Sequence, residues 1–311
     1  MSIDSTMGPP LINEEVDRLV GALGEQWAPD SRKWAARAPG RLDVMGGFAD
    51  YTGSLVLAYP LAAGVLVAAA PRQDQTVVAC TVNPQGNGAA TQVSWPLARF
   101  YRADGTLVAP ADFAATLSDL DGDNASARDV GAALYALLEN ATAPHLGGGL
   151  TIGVHSELGG TVGVAARSAA SAATVLAVCQ ALDLSLDPMA CAELACRGQN
   201  LLWSRAQGIG DAAAVTLAEA GRLFQMRCQN HETLSPLPLP EAIALTGVDC
   251  GARHPLARQK YIDTRVAAFM GREIINRIVA VEPDIRPNWQ GYLCQPTLSD
   301  HVERLRDRPP T

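Results

Sequence analysis

No two cysteines in the sequence are spaced CxxC, and the seven that occur, at 80, 179, 191, 196, 228, 250 and 294, are scattered and odd in number. Buried, reduced thiols of a cytosolic protein are therefore expected. The five histidines, at 145, 155, 231, 254 and 301, show neither HxxxH nor HxH spacing, which argues against a metal hydrolase. Basic residues are in deficit: 24 Lys and Arg against 32 Asp and Glu give a net charge of −8. Nucleic acid and anionic membranes need a basic footprint, so neither is an expected partner. An anionic small molecule is not excluded, because one local cradle can hold a phosphate. The first residues, MSIDSTMGPPLINEE, lack a basic region followed by an apolar run, and no apolar window is long and clean enough to span a bilayer. A soluble, cytoplasmic chain is the expectation. There is no GK[ST] P-loop, no GxGxxG turn, no internal repeat and no low-complexity linker.

What is present is a chain of 311 residues, 48% hydrophobic and 18% charged, able to bury the core of one large domain or two ordinary ones. Apolar positions at helical spacing over 11–27 predict an amphipathic helix. Short strands are expected within 54–70, 75–82 and 91–97, then a helix at about 128–141 and a strand at 150–156. The Ala-rich run 164–182 reads as a buried helix, followed by a helix at about 188–205, strands at 213–226 and 241–249, and a helix at about 258–280. Strands come first and mixed elements later without a strict βαβ period, which is an α+β pattern. Composition shifts at 229–240, QNHETLSPLPLP, and the expected domains are 1–232 and 233–311.

Three stretches carry candidate chemistry. The turn 157-ELGGTVGVAARSAAS-171 follows a strand and opens a helix, where backbone N–H groups and the helix dipole favour an anion; a tight connection gives the same pattern. In 208-GIGDAAAV-215, Asp211 is either a helix N-cap or a site carboxylate. In 38-APGRLDVMGGFADYTGSLVL-57, Arg41, Asp43 and Asp50 interrupt an otherwise apolar run, with Arg41 and Asp50 expected on a loop between buried segments, as an ion pair or as site residues.

Together with 248-VDCGARHPLARQKYIDTRVAAFMGREII-275, these stretches resemble the galactokinase branch of the GHMP small-molecule kinases, and within it the arabinokinase pattern, over about residues 35–295. The resemblance implies a ribosomal-protein-S5-like α+β domain followed by a ferredoxin-like domain, with the active site between them. It implies transfer of the γ-phosphoryl group of ATP, with Mg²⁺, to the anomeric hydroxyl of a monosaccharide. Asp211 falls on the family's catalytic aspartate, which accepts or polarises the hydroxyl proton. Arg41 falls on the arginine between that aspartate and the phosphate, where it would stabilise charge on the transferring group. Asp50 falls where sugar hydroxyls are bound, with Asp43, Gly47 and Gly210 alongside. Gly159, Gly160, Gly163, Val164, Ala165, Ala166, Arg167 and Ser168 fall on the nucleotide-binding turn. Where galactokinases carry Glu-His this chain reads Gly47-Phe48, which tilts the expected substrate toward a pentose such as L-arabinose, with Phe48 filling the space of the missing CH2OH group.

The resemblance frays on the nucleotide side. The family's serine run after the glycines is replaced by Ala165, Ala166 and Arg167, leaving Ser168 nearest the metal-facing place and Arg167 able to contact phosphate by charge. Gln199 stands at the spacing of the family's metal-binding glutamate, and an amide is a poorer Mg²⁺ ligand than a carboxylate. The family's second domain continues past the stretch present here, so an edge strand and an apolar helix face are expected to be exposed or covered by a partner chain. Two readings stay open: a sugar 1-kinase with a modified phosphate turn, and a degenerate relative that binds a sugar or a partner without phosphoryl transfer.

Overall fold

The computed structural model describes residues 11–28, 30–82, 90–120, 122–140, 145–158, 163–203, 207–249 and 255–280. The elements in chain order are α1 (Leu11–Leu23), β1 (Trp34–Met45), β2 (Leu55–Pro71), β3 (Thr76–Val82), β4 (Ala90–Pro96), α2 (Pro110–Leu117), α3 (Ala125–Leu138), β5 (Leu150–Ser156), α4 (Ala166–Ala181), α5 (Pro188–Trp203), α6 (Gly210–Leu217), β6 (Arg222–Arg227), β7 (Glu232–Thr233), β8 (Leu237–Pro238) and α7 (Pro255–Ala280). The sheet runs β4-β3-β5-β2-β6-β7, with β1 paired to β2 and β8 to β6. All the pairs are antiparallel except β3 with β5. This is the expected α+β arrangement.

Strand β2 organises the layers. Val65, Val67 and Ala69 join the core shared with α3, α4, α5 and α6, while Leu66, Ala68 and Ala70 face a second cluster beneath α1. The whole of β2 is one strand of 17 residues where short strands were expected: its first half alternates in burial, and residues 64–70 are buried on both faces and read as an unbroken apolar run. On the far face α1 buries Val16, Leu19, Val20 and Leu23, the i, i+3, i+4, i+7 stripe of an amphipathic helix. Each such side chain contributes roughly 1.5–3 kcal/mol. Trp27 Nε1 donates to the carbonyl of Val20 at 3.1 Å and ties the chain leaving α1 back onto it.

Small residues let the helices approach. Ala169, Ala172, Ala173 and Ala177 of α4 are fully buried. A Cβ on Gly198 of α5 would stand 2.9 Å from the carbonyl oxygen of Ala132 on α3. Cys80, Cys179, Cys191, Cys196 and Cys228 are buried and in no disulfide, as expected of them, while Cys250 and Cys294 lie outside the described residues.

Three expectations are corrected. The run 213–226 was expected to be strand, but its first part continues α6, and the strand β6 starts only after Gly221, whose φ of +75° makes the turn. An alanine run carries no period, so spacing alone does not separate a buried helix from a buried strand. Residues 241–249 form no strand and are largely exposed. Arg41 lies on β1, not on a loop. Helix α7 exposes Val266, Met270 and Ile274, spaced four apart along one side. Among the described residues, no helix is long and apolar enough to cross a membrane.

Candidate active site

The site begins with an irregularity in a strand. The pairing of β1 with β2 shifts register between Pro39 and Arg41, where Pro39 faces Gly64 and Arg41 faces Pro60. Bulges of this kind re-aim side chains. The backbone N–H of Arg41 turns away from the ladder and donates to the carbonyl of Val164 at 3.0 Å. Its guanidinium donates from Nη1 to the carbonyl of Gly163 at 3.1 Å. From Nε and Nη2 it donates to Oδ1 of Asp211, at 2.9 and 2.5 Å. Arg41 therefore joins three segments remote in sequence: β1, the glycine turn before α4, and the start of α6.

Asp211 lies in the first turn of α6, whose N-cap is Ile209 without any capping side chain. Its carboxylate is thus the ion-pair partner of Arg41 and not the helix cap. The role of cap falls to Asp50. That residue sits in the 3-10 turn Gly47–Thr52, is 6% exposed, and accepts the N–H of Gly210 at Oδ2 (3.0 Å) and of Tyr51 at Oδ1 (2.7 Å). Burial, and then the nearby charge of Asp211, push its carboxyl up to about 6, against the two backbone donors and Arg265. A Cβ on Gly208 would lie 2.1 Å from Cγ of Asp50, so the GIGD turn needs glycine there for the carboxylate to enter. Asp43 Oδ1 accepts the N–H of Gly47 at 3.2 Å, and a Cβ at Gly47 would meet that carboxylate. Asp43 and Gly47 thus hold the 3-10 turn that carries Asp50.

On the phosphate side, Ala165 adopts a left-handed conformation (φ +59°) as the N-cap of α4, with no side chain capping the helix. The first-turn N–H groups therefore take no hydrogen bond from the N-cap side chain, and uncapped N–H groups at a helix start are suited to an anion. Arg167 Nε lies 3.7 Å from Oδ2 of Asp129 on α3, and Ser168 Oγ donates to Oε1 of Gln199 on α5 at 3.3 Å. Gly159 and Gly160, expected in this turn, lie outside the described residues, as does His254; the side chain of Phe48 is likewise not described.

Several participants were not among the expected site residues. Asn200 Nδ2 donates to the carbonyl of Gln207 at 3.2 Å while its Oδ1 accepts that residue's N–H at 2.5 Å, and the Cys196 thiol donates to the carbonyl of Gly208 at 3.4 Å. Helix α5 thereby braces the GIGD turn. From α7, Tyr261 meets Tyr51 edge-on at 6.1 Å and Arg265 stands 4.8 Å over the Tyr51 ring, beside Asp50. These pairings span 7 to 214 positions of chain and have no local pattern to betray them.

The fold is shared with solved small-molecule kinases. It superposes on the galactokinase of Lactococcus lactis complexed with galactose at a TM-score of 0.60 and 15% identity, covering 88% of this chain and 67% of that one. Against the mevalonate kinase of Methanococcus jannaschii the TM-score is 0.50 at 12% identity, covering 68% and 57%. Residues 25–71 match the galactokinase galactose-binding signature, and residues 126–219 match the GHMP kinase N-terminal domain. Over these two stretches the chain carries the signatures of the GHMP kinase family and of its galactokinase branch. It is similar to the L-arabinokinase of Arabidopsis thaliana, 30% identical over 271 residues, covering 79% of this chain. The chain spans about a quarter (26%) of the length of that relative.

Proposed function

We propose that this chain carries the catalytic half-site of an ATP-dependent sugar 1-kinase that phosphorylates the anomeric hydroxyl of a monosaccharide, a pentose such as L-arabinose by preference. The observation that carries the reading is the convergence of Arg41, Asp211 and the Gly163 carbonyl at the mouth of α4. ATP would lay its phosphates on the uncapped first turn of α4, beside Arg167. The anomeric hydroxyl would sit between Asp211 and the γ-phosphorus. Its oxygen forms the new P–O bond, its proton passes to Asp211, and the bond to ADP breaks with the electron pair leaving on ADP. Arg41 fixes the Asp211 carboxylate and offers its charge to the transferring group. Asp50 accepts hydroxyl protons from the sugar through the lone pairs that Gly210 and Tyr51 leave open. The Gly47-Phe48 pair, in place of two polar residues, favours a sugar without the CH2OH group.

A divalent metal fits this site poorly. Ser168 and Gln199 are hydrogen-bonded to each other, Gln199 is neutral, and among the described residues no group of three or more His, Cys, Asp or Glu side chains lies together. No step above is routed through one.

The test incubates the purified chain with ATP and, separately, L-arabinose and galactose, and follows sugar 1-phosphate and ADP by ³¹P NMR. Turnover with L-arabinose, lost in Asp211→Asn, supports the reading. Sugar bound in a calorimeter with no phosphoryl transfer under any condition rejects it in favour of a binding protein.

A further inference from the structure

The buried side of the α4 N-terminus has an unusual donor set. Gln199 is 3% exposed and its Nε2 has no hydrogen-bond partner, although its Oε1 takes the Ser168 hydroxyl. Ser171 Oγ, one turn further along α4, is also buried without a partner. Opposite, Asp129 is 4% exposed; one carboxylate oxygen faces Arg167 and the other, Oδ1, has no partner. Burial pushes the Asp129 carboxyl up to about 6, with Arg167 and Arg128 opposing.

A divalent cation among phosphates wants anionic oxygens from the protein. Here the carboxamide of Gln199 brings no charge in either orientation, and the carboxylate of Asp129 is turned to a guanidinium. Positive charge is supplied by the chain itself. Arg167 is the second residue of α4, its side chain is 35% exposed, and its Nε stands 3.7 Å from Oδ2 of the buried Asp129. A buried amide left unsatisfied costs about 1–3 kcal/mol, and a phosphate oxygen relieves it where a cation cannot.

We propose that this cradle binds the phosphates of its nucleotide without a divalent metal, with Arg167 supplying the neutralising charge and Asp129 as the positioning residue that aims it. The choice of ATP as ligand rests on the sugar-kinase reading above. A guanidinium also suits phosphate geometrically, because its planar fork donates two parallel hydrogen bonds.

The experiment is calorimetric titration of the full chain with ATP in excess EDTA and again in excess Mg²⁺. The two dissociation constants are expected to agree within about threefold. Arg167→Gln weakens ATP about tenfold or more under both conditions. Asp129→Asn weakens ATP without lowering the melting temperature, since it removes a carboxyl that burial disfavours, and Asp129→Glu restores the affinity; a merely structural Asp129 would show the opposite pattern. Gln199→Glu makes ATP binding metal-dependent and gives a bound Mn²⁺ signal in electron paramagnetic resonance that the parent chain lacks. ATP binding by the parent chain in Mg²⁺ but not in EDTA overturns the metal-free cradle and leaves the sugar-kinase reading standing. Binding in neither condition overturns both. Binding in EDTA with no phosphate transferred to any sugar sinks the sugar-kinase reading alone.

Discussion

Arg41 and Asp211, 170 positions apart, meet through two hydrogen bonds from one guanidinium to one carboxylate oxygen, Oδ1. Among the described residues, none donates a hydrogen bond to Oδ2. The fork thus fixes the carboxylate while leaving its second oxygen available. Asp211→Asn is expected to lower kcat at least about a thousandfold with little change in sugar affinity, because an amide cannot take the proton. Arg41→Ala is expected to lower kcat about a hundredfold or more and to loosen the glycine turn, since the Gly163 contact goes with it. Steady-state kinetics with separate titration of each substrate checks both.

The carboxylate of Asp50 occupies the space in which Gly208 has no side chain, 2.1 Å from where a Cβ would stand. Gly208→Ala is expected to push Asp50 off the Gly210 N–H and to cost about 1–3 kcal/mol. Urea unfolding measures the loss, and sugar affinity should fall with it. An unchanged sugar affinity would separate Asp50 from the sugar.

The raised pKa of Asp50 has two opposite consequences with pH. Its carboxyl titrates near 6 in the folded chain, against an ordinary value of 3.8. The folded chain therefore holds a proton that the unfolded chain has released, so this contribution to stability is fully present below 3.8 and is lost as pH rises through about 6. Asp129, pushed up to about 6 as well, acts in the same direction. Unfolding free energy is expected to fall by about 1–3 kcal/mol across this window on account of Asp50, and Asp50→Asn should flatten its share. Sugar binding runs the other way, because the ionised carboxylate is the better acceptor, and should weaken as pH falls through about 6. Circular dichroism melts and calorimetric sugar titrations across the same buffers check the two slopes.

Asn200 makes a reciprocal pair of hydrogen bonds with the backbone of Gln207. Asn200→Ala is expected to cost about 1–2 kcal/mol and to lower kcat more than it raises KM, because it frees the turn that aims Asp211 without touching substrate. A KM effect larger than the kcat effect would show that the turn binds and does not aim.

The periodic elements and the charged interruptions are legible in the linear order of residues. The stripe on α1 and the alternation of β5 were legible because one face of each differs chemically from the other, the long alanine-rich run after the glycine turn was legible as a buried helix by its length, and Arg41, Asp50 and Asp211 stood out because charge is rare inside apolar runs. The alanine-rich α6 was misread as strand because uniform residues carry no period. That Arg41 bonds Asp211, that Asp50 caps α6 through Gly210 and that Asp129 faces Arg167 emerges in the folded chain alone. The physical reason is range: local sequence sets dihedral preference and which face is apolar, whereas a hydrogen bond between remote side chains exists only after burial of the sheet against its helices has fixed where each backbone lies.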